Sequence, residues 1–426
     1  MERVDVYGLQ ERKGHIFIDG KHVGVRFAWG KLSDMQVGVN KYLITTAKLF
    51  KSLQSTVSPL YSRCFPCMNH SSSPPTDTGL ASHPAATALF QRIVSRAIYA
   101  YAGLLTLLFL VMEIAGERWW PMAVLLYLPQ QIFLLPLIVL IPAALYVEPP
   151  VGAYAALAGT VIIYLWHVPF YPGMGSDAGS PQVKILTNNY AQNHHLSIQP
   201  FIAAEDPDFV ALEDSRGLAP FFQHAYPDRS VAGVGQFVFI SKAPIKSATS
   251  LAWPLWRGAP VAAVFDVEWQ GRDLAIYAVH LPTPRQDFAK LTRLGLLKEI
   301  LGRNRRASDN MSFGESMTAR AQLARDLAGV FAREQRPFLA VGDFNMPPDG
   351  YVHRVLTAGL TDCFIAAGRG FGFTFPGDIH NPLTLGQPWL RIDYVLAGPG
   401  WRTADCQVES GRRSKHRAVV ATLVRE

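Results

Sequence analysis

Hydrophobic positions are spread unevenly along the chain. Three long apolar runs follow one another, at residues 97–114, 122–147 and 151–168. Each approaches or exceeds the roughly 18–20 residues that cross about 30 Å of hydrocarbon. Trp119, Trp120, Tyr146, Tyr164 and Trp166 fall at or near the ends of these runs, where interfacial aromatics belong. Pro129, Pro136 and Pro142 interrupt the second run, and prolines are tolerated in membrane helices whose neighbours satisfy the freed backbone groups. A buried helical core is the competing reading, but three such runs in succession are hard to bury in a soluble protein. A cleaved signal peptide does not fit so long and so internal a cluster. The pattern predicts a three-helix transmembrane anchor over 97–168.

Beyond a short Gly/Ser/Asp linker at 169–181 the pattern changes to short apolar runs rich in Val, Ile, Phe and Ala. These predict strands at 183–187, 209–212, 236–240, 261–267, 274–279, 338–341, 394–397 and 418–424. Helix-spaced apolar positions lie at 287–301 and 317–334, the latter including Leu323, Leu327, Val330 and Phe331. Strands outnumber helices. Packed sheets flanked by helices therefore fit better than a parallel sheet with one helix per strand.

Upstream, residues 67–96 are rich in Ser and Pro and read as a linker. Residues 1–66 carry no legible motif, although 14–24 has the look of a small hairpin. Cys64 and Cys67 form a C-F-P-C pair without a second pair or a histidine partner, so an incidental pair is the better reading. At 426 residues the chain is long for one core, which requires at least two structural units. A net charge of +7 suits anionic partners without choosing among phosphates, nucleic acid and lipid headgroups.

Chemistry enters at the strand ends. Asn189 follows V-K-I-L-T, Glu213 and Asp214 follow F-V-A-L, and His280 closes L-A-I-Y-A-V-H. Asp343 and Asn345 stand in G-D-F-N, Asp393 opens D-Y-V-L-A, and His416 precedes R-A-V-V-A. Polar groups at strand ends can converge on one sheet edge, where the strands hold them rigidly. Carboxylate and amide oxygens suit Mg²⁺, which prefers hard ligands. Histidines move protons or stabilise a developing charge. No G-x-S-x-G elbow and no G-x-x-x-x-G-K-[ST] loop is present, which argues against a serine hydrolase and a P-loop nucleotidase.

From residue 182 to the C-terminus, V-K-I-L-T-N-N, P-D-F-V-A-L-E-D, G-Q-F-V-F-I-S-K, I-Y-A-V-H-L, V-G-D-F-N, R-I-D-Y-V-L and S-K-H-R-A-V-V occur in this order. Together they resemble the endonuclease/exonuclease/phosphatase superfamily, and the preceding apolar runs look like its membrane-anchored bacterial branch. The resemblance implies an α+β fold: a four-layer α/β sandwich of two packed mixed β-sheets flanked by helices, here preceded by three transmembrane helices. It also implies a phosphoester hydrolase using Mg²⁺ or Mn²⁺, acting on nucleic acid, phospholipid or a small phosphate ester. No protein partner is implied. In this resemblance Asn189 supports the network beside the metal, and His280 contacts the phosphate. Asp343 activates or orients the attacking water, Asn345 positions water and phosphate, and Asp393 orients His416. The metal-binding acid falls on Asp214, with Glu213 where a glutamine is usual, so either carboxylate is a candidate ligand.

Lys242 and Lys415 are weaker candidates for phosphate contact, and Arg391 is as readily a solvated charge. Lys415 stands where the family usually has an aspartate. That exchange removes an acid near the metal and adds positive charge, which keeps a second reading open: a non-catalytic phosphate- or nucleic-acid-binding member of the same fold. Arg92 and Arg96 ahead of the first apolar run favour a cytoplasmic N-terminus. Three crossings would then leave the C-terminal domain outside the cytoplasm, on a bacterial inner membrane.

Overall fold

The computed structural model describes residues 14–18, 21–25, 84–167, 170–172, 182–190, 197–288, 291, 311–348, 350–378, 384–412 and 414–426. The chain divides into two compact units, Met1–Ala81 and Ser82–Glu426. In the first, Gly14–Ile18 and Lys21–Val25 pair antiparallel, as the 14–24 pattern predicts. Cys64, Cys67 and most of the Ser/Pro-rich segment lie outside the described residues.

The second unit contains two six-stranded mixed sheets. One runs in the order Trp401–Val408, Val419–Arg425, Gln182–Asn189, Phe209–Glu213, Phe237–Ser241, Ser230–Val234. The other runs Thr361–Asp362, Asp393–Ala397, Phe338–Asp343, Arg272–His280, Ala262–Trp269, Ile245–Ser250. Their facing sides supply one core in which Ile185, Phe209, Phe239, Phe265, Ile276 and Val341 are all inaccessible to solvent. The outer side of the first sheet packs on the Gln199–Glu205 and Ala219–Ala225 helices through Ile202, Phe222, Val210 and Ile240. On the outer side of the second, Tyr277, Phe338 and Ala340 meet Leu323, Leu327 and Phe331 of the Phe313–Arg333 helix. Strand alternation explains the arrangement, because successive residues face opposite layers and both layers are apolar. The strands predicted from the sequence are present, most of them longer by a residue or two at their polar ends. Strands at Ser230–Val234, Ile245–Ser250 and Trp401–Val408 add to them. Of the helix expected at 287–301 most lies outside the described residues, which show a short helix at Arg285–Phe288.

The apolar region departs from the three transmembrane helices expected. The first helix starts at Pro84, inside the predicted linker, and runs to Ala115. The second run is not one helix. Trp120–Tyr127 forms a separate helix that ends at Leu128, whose backbone is extended (φ −75°, ψ 156°). Pro129 forces this, because proline pushes the residue before it out of the helical region. Two stretches, Ala86–Arg118 and Gln130–Val147, are helical, long and apolar enough to cross a membrane, and Val151–Trp166 is a shorter apolar helix. Leu104, Leu107, Leu110, Ile138, Val139 and Leu145 on these helices are largely exposed.

Candidate active site

Register assembles the site. His280 lies beside Asp343 in the parallel pair of the second sheet, and Asp343 lies opposite Asp393 in the neighbouring antiparallel pair. Across the sandwich, Asn189 and Glu213 are register partners at the ends of adjacent parallel strands. Gly342 permits the close approach on one side: its φ is +137°, and a Cβ there would sit 2.0 Å from the Val279 carbonyl oxygen. Only glycine fits that backbone.

Asp343 is the hub. One carboxylate oxygen accepts the Asn345 amide (2.9 Å); the other accepts Asn189 Nδ2 (2.9 Å) and Asn345 Nδ2 (3.1 Å). His280 Nε2 and His416 Nε2 stand 3.6 and 3.8 Å from that second oxygen. Asn345, at φ +48°, also donates to the Leu281 carbonyl (2.8 Å). His416 Nδ1 lies 3.0 Å from Asp393 Oδ1, and its ring rests on Phe375 at 4.7 Å between centroids. Its backbone is fixed by Asn188 Nδ2 and Ser414 Oγ, which both donate to its carbonyl. Burial pushes the His416 pKa down, but Asp393 and Asp343 outweigh it, and the net value rises to about 8. Asp393 is shifted up by burial, partly offset by His416.

Between residues 213 and 214 the backbone turns. Glu213 is fully buried; Thr187 Oγ1 donates to its Oε1 at 2.8 Å, and burial together with Asp393 and Asp343 raises its pKa well above the ordinary carboxylate range. Asp214, in the left-handed region at φ +52°, lines an open cleft of about 330 Å³ with Gln236, Trp256, Arg257, His280 and Asp287. The sequence pattern marks Gln236 only as the opening residue of a strand; in the structure it stands just before Phe237–Ser241, and its Oε1 lies 2.7 Å from His280 Nδ1 and fixes the proton on that nitrogen.

A cation fits this donor set. Glu213 Oε2 and Asn189 Oδ1 are buried without a hydrogen-bond partner. Ligand atoms of Asp343, Asp393 and His416 lie within 4.8 Å of one another. Buried polar atoms are normally satisfied, and clustered carboxylates raise one another's pKa unless a positive charge stands between them.

Two candidates stay outside the cluster. Lys242 sits at the opposite end of the Phe209–Glu213 strand from Glu213; its ammonium pairs with Asp206 (2.8 Å) and its amide with the Asp208 carbonyl. A four-residue rise of about 3.3 Å each separates the two ends, which sets Lys242 apart from the cluster. Arg391 is buried, paired with Asp362 at 2.7 Å and stacked on Tyr394. Lys415 is half-buried between buried neighbours; its carbonyl accepts the Gly377 amide, and its side chain forms no ion pair among the described residues.

Two packed mixed sheets with acids, amides and histidines gathered at their strand ends define the class. Residues 187–414 match the sequence model of the Endonuclease/Exonuclease/phosphatase family, and the chain belongs to that family, whose members are typically phosphoester hydrolases. Among solved structures it is similar to an endonuclease/exonuclease/phosphatase family protein from Leptotrichia buccalis (15% identity, TM-score 0.38, covering 57% of this chain and 99% of that one). It is also similar to a family protein from Bacteroides thetaiotaomicron (12%, 0.40, 59% and 97%). A third is the 3′ phosphatase NExo from Neisseria bound to product DNA hairpin (17%, 0.39, 56% and 98%). No curated protein matches the chain.

Proposed function

We propose that the protein is a divalent-metal-dependent phosphoester hydrolase held at a membrane by its apolar helices. The observation that carries the reading is the convergence on Asp343 of Asn189, Asn345, His280 and His416, with the unpartnered Glu213 oxygen in the same buried cluster. Glu213, Asp343, Asp393 and Asn189 would hold Mg²⁺ or Mn²⁺, with Asp214 at the cleft wall. A bound dication would polarise the phosphoryl oxygen and make water more acidic. Asp343, already loaded with three donors, orients the attacking water and takes its proton. Asn345 keeps Asp343 and the phosphate in line, and His280 faces the phosphoryl oxygen from the cleft. His416, protonated through its pairing with Asp393, supplies positive charge to the same centre.

The exposed apolar faces of the Ala86–Arg118 and Gln130–Val147 helices support a bilayer as their solvent. With the shorter Val151–Trp166 helix as a third crossing, the positive-inside bias at Arg92 and Arg96 would leave the catalytic domain outside the cytoplasm. Nucleic acid, phospholipid and small phosphate esters all remain substrate classes to be screened.

The test uses the full chain in detergent, with Mg²⁺ or Mn²⁺, against bis-p-nitrophenyl phosphate, p-nitrophenyl phosphate, DNA, RNA and phospholipid vesicles. Turnover is expected with metal, lost in EDTA, and reduced at least about a hundredfold in Asp343→Asn. A folded protein that cleaves none of these overturns the reading in favour of a non-catalytic binding member. That outcome would put weight on Lys415, and Lys415→Asp would then be the variant to assay.

A further inference from the structure

The Trp120–Tyr127 helix lies between the two long apolar stretches, yet it packs on the catalytic sandwich. Trp120 meets Phe313 edge-on at 6.3 Å, and Tyr127 packs against Phe288 at 5.1 Å. Just before it, Glu117 is fully buried and accepts the Val352 amide at 3.2 Å. Apolar contacts alone would suffice to dock a short helix. Here a polar network is buried as well, and it ends on one atom. The Tyr127 hydroxyl donates to the Asn345 carbonyl at 2.7 Å, and Arg320 Nη2 donates to the same oxygen at 2.7 Å. Arg320 also reaches the Tyr127 hydroxyl oxygen at 3.3 Å.

Arg320 is 2% exposed, its Nε and Nη1 have no hydrogen-bond partner, and it forms no ion pair among the described residues. A buried, unpaired guanidinium costs several kcal/mol in general. Its position on a largely apolar helix face, beside Ala321, Leu323 and Ala324, therefore needs a reason. The carbonyl it grips belongs to Asn345, whose backbone lies in the left-handed region, uncommon outside glycine though asparagine tolerates it better than most. That residue's side chain makes the bonds to Asp343 and to the Leu281 carbonyl.

We infer that Tyr127 is a positioning residue for Asn345, acting with Arg320, so that the catalytic centre is completed by the apolar region of the chain. The inference rests on the role given to Asn345 above. It follows that a fragment begun at residue 182 has the candidate site's side chains but lacks one of the two donors that fix its Asn345 loop.

The experiment compares full-length wild type, Tyr127→Phe and Trp120→Phe in detergent. Bis-p-nitrophenyl phosphate with Mn²⁺ is the activity probe, and hydrogen exchange is followed on peptides spanning 343–350. Tyr127→Phe keeps the ring and removes only the hydroxyl. Its kcat is expected to fall about tenfold with KM within twofold, as for lost orientation rather than lost binding, and 343–350 is expected to lose protection. Trp120→Phe, which keeps an aromatic contact, is expected to retain kcat within twofold. An unchanged kcat in Tyr127→Phe, or an equal fall in Trp120→Phe, overturns the inference and leaves the hydrolase reading standing. Should wild type not cleave the probe, the exchange data decide. Lost protection at 343–350 in Tyr127→Phe alone then supports the positioning contact, and unchanged protection overturns it.

Discussion

Glu213 and Asp214 are adjacent and chemically alike, yet the fold treats them differently. Glu213 ends its strand facing the buried cluster, whereas Asp214 turns into the left-handed region and lines the cleft. Burial and the neighbouring acids shift Glu213 toward its protonated form, and Glu213→Gln keeps the shape of the side chain while removing its acid. Metal-free stability should change by less than about 1 kcal/mol, while the thermal upshift produced by Mn²⁺ should disappear. A Mn²⁺ upshift equal to wild type would remove Glu213 from the ligand set. Much at this scale was legible in the sequence, since a polar residue that stops an apolar run stands at a strand end. Asn189, His280 and Asp343 stood out in this way, and Asp393 by opening its run. Gln236 did not, because only the antiparallel return of its strand brings it to His280. Lys242 was misplaced for the complementary reason: it follows its strand, but that strand runs the other way.

At the scale of elements, the Phe313–Arg333 helix links the sandwich to the apolar region. It buries Leu323, Leu327 and Phe331 against the second sheet and carries Arg320 to the Asn345 carbonyl. A capping box sets its start: Ser312 Oγ accepts the Glu315 amide at 3.1 Å, and Glu315 returns a carboxylate oxygen to the Ser312 amide at 2.7 Å. Ser312→Ala should cost about 1 kcal/mol by chemical denaturation. A loss under about 0.3 kcal/mol would mean that tertiary packing alone fixes the helix start. The 3.6-residue apolar spacing revealed this helix from the sequence. The Trp120–Tyr127 helix stayed hidden, because its run is apolar nearly throughout and hydropathy does not distinguish a helix packed on protein from a lipid-facing one. Pro129 marked the break, but only the structure shows that the chain turns there.

The molecule as a whole gathers four ionisable side chains, Glu213, Asp343, Asp393 and His416, into one buried space. Two of the shifts determine how stability responds to pH. His416 rises from 6.5 to about 8, so its contribution is complete below pH 6.5 and is lost as pH climbs through about 8. Glu213, also shifted up, acts in the same sense, its contribution fading as pH rises above the ordinary glutamate range. The His416 shift alone corresponds to about 2 kcal/mol. In EDTA, unfolding measurements should show stability falling between pH 6.5 and 8.5, with His416→Asn flattening that part of the curve. A flat wild-type profile would contradict the His416–Asp393 pairing. Packed sheets flanked by helices followed from the strand count, and their number, two, from the family resemblance. The separate helix within the apolar region did not, since it depends on contacts between residues about two hundred positions apart, such as Tyr127 with Arg320 and Asn345.

The proton load of this space bears on how an ion would enter it. Burial and the neighbouring acids shift Glu213 toward its protonated form, and a dication among the same acids would compete with that proton while His416 keeps its own, so loading exchanges one kind of positive charge for another. The compartment's acidity then competes directly with the ion. A domain facing an acidic exterior would load weakly and one facing a neutral interior more tightly, so the side of the membrane on which the sandwich lies would itself help decide whether the centre is armed.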